Sequence, residues 1–201
     1  MNIMPEYALY YIFVAAFVGY LLGSIPFGLV LTRMAGLGDI RKIGSGNIGA
    51  TNVLRTGNKF LALLTLLLDI GKGAIAVLIA EFLYPGLGIY AGSGTFLGHL
   101  YSIFLKFTGG KGVATFLGLM LALNPMVGLT SILSWLITAA IFRISSLSAL
   151  VAAIASPIAS LYLQQNKLAI VAILLCILIF IKHKDNIKRI INGDEPKIGK
   201  K

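Results

Sequence analysis

Long apolar runs separated by short polar breaks are the feature of this sequence that most constrains its fold. The runs near residues 7–34 and 60–83 are longer than the roughly 20 residues that a transmembrane helix needs. Of all residues, 58% are hydrophobic and 12% are charged, whereas a typical soluble domain has about 25% charged residues. Because the bilayer core cannot hydrogen-bond exposed backbone groups, such runs are expected to be helical. The sequence therefore predicts an all-α, polytopic membrane protein.

The polar breaks divide the chain, 1–201, into about seven transmembrane helices of one membrane domain. The run 113–142 is broken at Asn124-Pro125 and is short for two crossings, so a re-entrant hairpin is the alternative. The predicted spans are 7–34, 60–83, 87–107, 113–123, 126–142, 145–163 and 168–181. The predicted polar segments are glycine-rich loops at 35–59 and 108–112 and a basic tail at 182–201.

The distribution of basic residues predicts the orientation of the chain. With both glycine-rich loops, Arg143 and the tail on one side, that side holds fifteen of the seventeen Lys and Arg residues. Lys167 falls on the other side and Lys72 lies within a span. Basic residues accumulate in cytoplasmic loops. We therefore expect an outside N-terminus and a cytoplasmic C-terminus, and we attribute the net charge of +10 to topology rather than to nucleic-acid binding.

The longest polar break is the segment from Gly44 to Lys59, GSGNIGATNVLRTGNK. Its glycines let backbone N–H groups converge on a ligand, and its basic side chains, Arg55 among them, supply positive charge for a phosphate. The segment also contains the dinucleotide-binding spacing GxGxxG. A membrane span rather than a β-strand precedes it, so we reject that interpretation. The segment is predicted to be a phosphate-binding loop.

Three polar breaks are expected on one face of the membrane: Gly44–Lys59, His99–Gly112 and Lys182–Arg189. They are rich in anion ligands, and they contain neither a carboxylate pair for glycoside hydrolysis nor a cluster with metal-ligand spacing. This composition indicates a phosphate-bearing substrate. The side chains that carry the prediction are Ser45, Asn47, Thr51, Asn52, Arg55, Lys59, Lys111, His183, Asn186, Lys188 and Arg189.

Two opposite charges lie within the second predicted span. Asp69 and Lys72 are three residues apart and so share a helix face. Because buried charges are costly in a bilayer, they are expected to pair and to face the bundle interior. The sequence leaves open whether the pair is purely structural or helps to orient the site.

These segments closely resemble the bacterial acyl-phosphate:glycerol-3-phosphate acyltransferases, which are small integral membrane enzymes. The resemblance extends from the first helix to the tail, and its motifs are long and ordered. The matching segments are Gly23–Phe27 (GSIPF), Gly44–Lys59, Asp69 with Lys72-Gly73, Gly98-His99, Gly109–Thr115 (GGKGVAT) and His183–Arg189 (HKDNIKR).

The resemblance implies transfer of an acyl group from acyl phosphate to the 1-hydroxyl of glycerol 3-phosphate, giving lysophosphatidic acid and phosphate. An acyl phosphate is already activated, so positioning and charge stabilisation suffice without a covalent acyl-enzyme. The implied location is the bacterial cytoplasmic (inner) membrane, with the site on its cytoplasmic face. The implied partners are the two substrates and the lipid bilayer, with no cofactor, no metal, no nucleic acid and no obligate protein partner.

The site residues expected from the resemblance fall into three groups. Ser45 and Asn47 are expected to cradle the acyl phosphate, with the Gly109–Gly112 loop on the other phosphate. The expected catalytic residues are Ser45, Arg55, Lys111, His183 and Asn186, of which Arg55, His183 and Asn186 bind or orient glycerol 3-phosphate. The expected substrate-binding residues are Gly44, Gly46, Asn47, Gly49, Thr51, Asn52, Lys59, Lys72, Gly109, Gly110, Gly112 and Arg189. The expected structural supports are Asp69 and His99.

Two questions stay open from the sequence. His183 is either a general base or a hydrogen-bonding ligand, in which case a substrate phosphate takes the proton. The protein class also has alternatives. The cationic loops also suit a transporter or flippase for a phosphate-bearing solute, and the glycine-rich spans suit a structural subunit. Against the transporter, the chain shows no inverted repeat and its polar groups gather on one face.

Overall fold

The computed structural model describes residues 8–199, which form helices and no strand. The all-helical architecture predicted from the sequence is therefore confirmed for this part of the chain, while Tyr7, where the first predicted span begins, lies outside it. The helices are α1 Ala8–Gly23, α2 Phe27–Met34, α3 Ala50–Val53, α4 Lys59–Leu83, α5 Gly88–Leu100, α6 Val113–Leu123, α7 Pro125–Phe142, α8 Ser145–Tyr162, α9 Asn166–Lys182 and α10 Lys184–Ile191.

Four helical segments are long and apolar enough to cross a membrane: α1 with α2, α4, α7 and α8. A fifth is α9 with α10, if this pair, bent by 65°, is counted as one span. Helix α6 has 11 residues, which is fewer than the roughly 20 residues usual for one transmembrane helix. The total of seven crossings stays a prediction.

The helix in the third predicted span is shorter than the span. Helix α5 ends at Leu100, and the chain then makes turns in which Lys106 and Phe107 have positive φ angles of 53° and 61°. Two hydrogen bonds hold this turn against the end of α1. Tyr20 Oη donates to the Tyr101 carbonyl at 2.7 Å, and Ser102 Oγ donates to the Ser24 carbonyl at 2.5 Å.

Small residues allow the helices that carry the polar breaks to pack closely. Helix α1 packs on α5, where a Cβ atom at Gly94 would overlap the Ala16 carbonyl. Helix α4 packs on α6, where a Cβ atom at Gly118 would overlap the Ile70 carbonyl. Such glycine contacts replace the hydrophobic driving force that is missing between helices in lipid. They bring the loops at the ends of α2, α5 and α9 to one end of the bundle.

Candidate active site

The segment between α2 and α4 is held in shape by Asn52, which is 1% exposed. Its Nδ2 lies 2.8–3.0 Å from the carbonyl oxygens of Ile40, Ile43 and Asn47. Its Oδ1 accepts a hydrogen bond from the Ser45 backbone N–H at 3.1 Å. The loop therefore uses both N–H donors of the amide, which leaves none for a phosphate oxygen. We assign Asn52 to holding the loop, rather than to the substrate contact predicted from the sequence.

Gly44 shapes the same loop by its conformation and its lack of a side chain. Its φ of +55° lies in the left-handed region that favours glycine. A Cβ atom there would lie 2.6 Å from Arg55 Cδ and 2.6 Å from Asn52 Oδ1. The missing side chain therefore lets the Arg55 stem lie across the loop and aim its guanidinium into the cavity described below.

The Gly109–Gly112 loop lies directly on His99, which is buried at the end of α5. The Gly110 N–H donates to the His99 carbonyl at 3.0 Å, and a Cβ atom at Gly110 would overlap His99 Nε2. On the other side of the ring, Nδ1 lies 3.3 Å from Thr115 Oγ1. His99 thus contacts the loop through both its carbonyl group and its ring.

The predicted pair in the second span is formed. Lys72 Nζ lies 2.8 Å from Asp69 Oδ1, and both side chains are buried. Lys72 also donates to the Ile25 carbonyl at 3.0 Å, at the break between α1 and α2. Asp69 Oδ1 lies 3.6 Å from His99 Nδ1. Lys72 therefore contacts the α1–α2 break and does not line the cavity between the polar segments, whereas Asp69 and His99 do.

His183 lies at the bend between α9 and α10 and is 2% exposed. Its Nδ1 lies 2.8 Å from the Ile179 carbonyl oxygen. A carbonyl only accepts, so Nδ1 carries the proton and Nε2 is an acceptor in the neutral ring. Burial lowers the pKa of His183 to about 4, because the imidazolium is poorly solvated, and the nearby Lys111 ammonium acts in the same direction. The ring is therefore neutral at physiological pH.

One cavity of about 800 Å³ joins the three polar segments, a volume typical of small-molecule sites. It has a polar part and an apolar part. The predicted residues that line it are Gly44, Ser45, Asn47, Gly49, Thr51, Arg55, Lys59, Asp69, His99, Lys111, Gly112, His183, Asn186 and Arg189. The predicted residues that do not line it are Gly46, Asn52, Lys72, Gly109, Gly110 and Lys188. The apolar wall includes Leu66, Ile70, Leu117, Ile132, Trp135 and Leu136, from α4, α6 and α7.

The tail contributes a residue that was not predicted. Glu195 lines the cavity, and its side chain is 7% exposed. Sequence reasoning treated the tail as a source of positive charge, and a single carboxylate nine residues beyond Asn186 gave no spacing signal. Among residues 8–199, no group of three or more His, Cys, Asp or Glu side chains is placed to hold a metal ion.

Fold and site together define a polytopic α-helical membrane protein whose cavity combines basic and polar side chains with an apolar wall. The family model for glycerol-3-phosphate acyltransferase matches residues 13–193. The chain belongs to this enzyme family, as the sequence motifs predicted.

Similar proteins cover nearly the whole chain. The glycerol-3-phosphate acyltransferase of Cereibacter sphaeroides is 61% identical over 185 residues, covering 92% of this chain and 88% of the relative. That of Mesorhizobium japonicum is 56% identical, covering 96% and 98%. Crystal structures of PlsY, an integral membrane glycerol 3-phosphate acyltransferase, are also similar. Its glycerol 3-phosphate form has a TM-score of 0.89 at 38% identity, covering 94% of this chain and 96% of PlsY. Its lysophosphatidic acid form has a TM-score of 0.86 at 36% identity.

Proposed function

We propose that the chain transfers a fatty acyl group from acyl phosphate to the 1-hydroxyl of glycerol 3-phosphate, giving lysophosphatidic acid and inorganic phosphate. The observation that carries the proposal is a cavity in which Arg55, Lys111 and Arg189 lie together with an apolar wall. Such a cavity suits substrates with both a phosphate and an acyl chain. The names of the family and of its relatives support glycerol 3-phosphate as the acceptor.

In the proposed reaction the glycerol 3-phosphate hydroxyl oxygen attacks the acyl carbonyl carbon directly. The bond from that carbon to the phosphate oxygen breaks, and the phosphate leaves with the electron pair. The hydroxyl proton passes to a phosphate oxygen. Positioning and preorganised positive charge contribute most of the rate enhancement in such a step, and no covalent acyl-enzyme is required.

We assign the binding groups to two phosphate positions. Ser45 and Asn47 hold the acyl phosphate. Lys111 and Asn186, whose Nζ and Oδ1 are hydrogen-bonded to each other, hold the phosphate of glycerol 3-phosphate together with Arg55. Lys111 and Asn186 come from different breaks, which supports their assignment to one phosphate position.

We propose that His183 accepts a hydrogen bond from the attacking hydroxyl rather than acting as an obligatory base. With a pKa of about 4, its Nε2 is a weaker base than a phosphate monoester, whose second pKa is about 6. The substrate phosphate is therefore the better proton acceptor. A neutral Nε2 that is fixed by the Nδ1 contact to Ile179 suits an orienting acceptor.

A pH series on His183→Ala tests this role. The ratio of wild-type to variant kcat/KM is expected to stay constant between about pH 6 and 8, because the neutral imidazole persists above its lowered pKa. It should fall only as the pH approaches 4, where the ring gains its proton and loses the acceptor. A ratio that instead changes near pH 6.5, the ordinary pKa of histidine, would contradict the proposal.

We further propose that the site lies at the cytoplasmic face of the bacterial cytoplasmic membrane, with the N-terminus outside and seven crossings. The positive charges support this orientation, because fifteen of the seventeen Lys and Arg residues then face the cytoplasm or its boundary. In this orientation, water-soluble glycerol 3-phosphate enters the site from the cytoplasm.

The function is tested with purified protein in nanodiscs, supplied with acyl phosphate and glycerol 3-phosphate. We expect one inorganic phosphate released per lysophosphatidic acid formed, and neither product when glycerol 3-phosphate is omitted. Acyl-CoA, offered in place of acyl phosphate, is expected to give no product. Uptake of glycerol 3-phosphate into proteoliposomes without phosphate release would instead indicate the transporter.

A further inference from the structure

The tail carboxylate of Glu195 lies in a binding site built from two helices, α8 and α10. Its Oε1 accepts hydrogen bonds from Ser146 Oγ at 2.6 Å and from Asn186 Nδ2 at 2.5 Å. Its Oε2 accepts one from Arg189 Nε at 2.7 Å. The Glu195 side chain is 7% exposed, whereas that of Arg189 is 39% exposed. Three donors therefore converge on a largely buried carboxylate. Glu195 makes a specific contact with the bundle and is not a surface residue of the tail.

This contact fixes which way the Asn186 amide points. A carboxylate is an acceptor only, so it requires the amide NH₂ on its own side. The opposite end of the amide, Oδ1, then faces Lys111 and accepts from its Nζ. If the amide were rotated, its NH₂ would face the Lys111 ammonium, and two donors would oppose each other. The orientation of Asn186, and with it the position of the Lys111 ammonium, thus depends on Glu195.

Glu195 also affects the charge of Lys111. Burial lowers the pKa of Lys111, because the ammonium is poorly solvated in the cavity, and the guanidinium groups of Arg189 and Arg55 lower it further. The carboxylates of Glu195 and Asp185 act in the opposite direction. Because His183 is neutral at physiological pH, it adds no charge to this balance.

We propose that Glu195 is a positioning residue that orients the Asn186 amide and thereby holds the Lys111 ammonium in place for the phosphate of glycerol 3-phosphate. The proposal rests on the function proposed above and names the residue on which its phosphate position depends. The tail itself is fastened to the α7–α8 turn, since the Ile198 N–H donates to the Arg143 carbonyl at 2.6 Å. Residues 195–199 therefore form part of the cavity wall and are attached to the helix bundle. This attachment suits a residue that stays in place during turnover.

The alternative is an inhibitory contact, in which the Glu195 carboxylate occupies the position of a substrate phosphate and must leave before that phosphate binds. The two roles predict opposite effects. If the contact is inhibitory, neutralising Glu195 lowers the KM for glycerol 3-phosphate. If Glu195 positions Asn186, neutralising it raises the KM. The bond from Ser146 favours the positioning role, because it holds the carboxylate from a second helix, α8, through a residue that is 6% exposed.

The test is Glu195→Gln, with Asp194→Asn as the matched control. Both substitutions remove one negative charge, and Asp194 is the exposed neighbour of Glu195. A glutamine offers one acceptor and one donor group where Glu195 meets three donors, so either Asn186 or Arg189 faces an NH₂. We expect Glu195→Gln to raise the KM for glycerol 3-phosphate about 10- to 100-fold, as for the loss of a charge-assisted hydrogen bond. Asp194→Asn should keep the wild-type KM.

A pH profile separates this role from a merely structural one. With the carboxylate gone, the pKa of Lys111 falls further, so the alkaline limb of kcat/KM should move to lower pH in Glu195→Gln and stay in place in Asp194→Asn. A folded Glu195→Gln with the wild-type KM and profile, or with a lowered KM, overturns the proposal.

A second variant covers the case in which Glu195→Gln does not fold. Ser146→Ala removes one of the three donors and should raise the KM about two- to fivefold, a smaller effect because Asn186 and Arg189 still hold the carboxylate. An unfolded Glu195→Gln together with an unchanged KM in Ser146→Ala assigns Glu195 to the fold alone and overturns the proposal. Wild-type turnover in the same assay shows that the proposed function stands in either case.

Discussion

Replacing Lys111 with Met should reduce kcat/KM for glycerol 3-phosphate by about 100- to 1,000-fold, the usual cost of removing one preorganised group that stabilises developing negative charge. Lys111 is held at the end of the Gly109–Gly112 loop, which packs on His99. Its ammonium is bound by Asn186 Oδ1. The substitution removes the charge but keeps a side chain of similar length, so the bundle should remain folded.

The control for this variant is Lys106→Met, in the same connection between α5 and α6. Lys106 is exposed and does not line the cavity, so its loss changes the overall charge equally without touching the site. Helical content by circular dichroism and elution as a single species verify folding in both. If both variants lost activity to a similar degree, the general positive potential of this face, rather than Lys111 itself, would be responsible.

Replacing Arg55 with Ala should lower kcat/KM by a similar factor, about 100- to 1,000-fold. A guanidinium binds phosphate through two parallel hydrogen bonds, which an alanine cannot replace. The side chain crosses the loop over Gly44, and the loop backbone is held independently by Asn52. We therefore expect the variant to lose activity through weaker substrate binding, while the shape of the loop is unchanged.

Lys42→Ala is the matched control for Arg55→Ala. Lys42 belongs to the same segment between α2 and α4, is exposed, and does not line the cavity. Steady-state kinetics in both substrates should show an unchanged rate for Lys42→Ala. Near-normal kcat/KM in Arg55→Ala would remove the Gly44–Lys59 segment from the proposed phosphate site.

The features that could be predicted from the sequence are those with a strong local signal. The apolar runs require helices in a bilayer, and the all-helical architecture follows. The Asp69–Lys72 pair was expected from spacing and burial cost, and its formation is confirmed. The main difference in the helices is at α5, which ends at Leu100. Apolar residues continue beyond that point, so composition carried no signal for the turn, which depends on contacts to α1.

Individual roles within the site were harder to predict. Asn52 has the residue type of a ligand contact, yet the backbone of its own loop uses both of its N–H donors. Glu195 has an unfavourable charge for a phosphate site, yet it binds Asn186 and Arg189. Whether a polar side chain faces the substrate or its own backbone depends on which groups lie within about 3 Å, and residue type does not carry that information.

The sequence by itself determined that the chain is a helical membrane protein, that its polar segments are basic and glycine-rich, and which family its motifs match. Hydrophobic run length and residue chemistry are local properties that a single chain displays directly. Only the tertiary structure decided that residues as distant as Ser45, Lys111 and Asn186 line one cavity, and that Glu195 sets the direction of an amide within it. Those facts depend on the close packing of helices through glycine contacts and on the directions of individual hydrogen bonds, which arise only when distant segments meet.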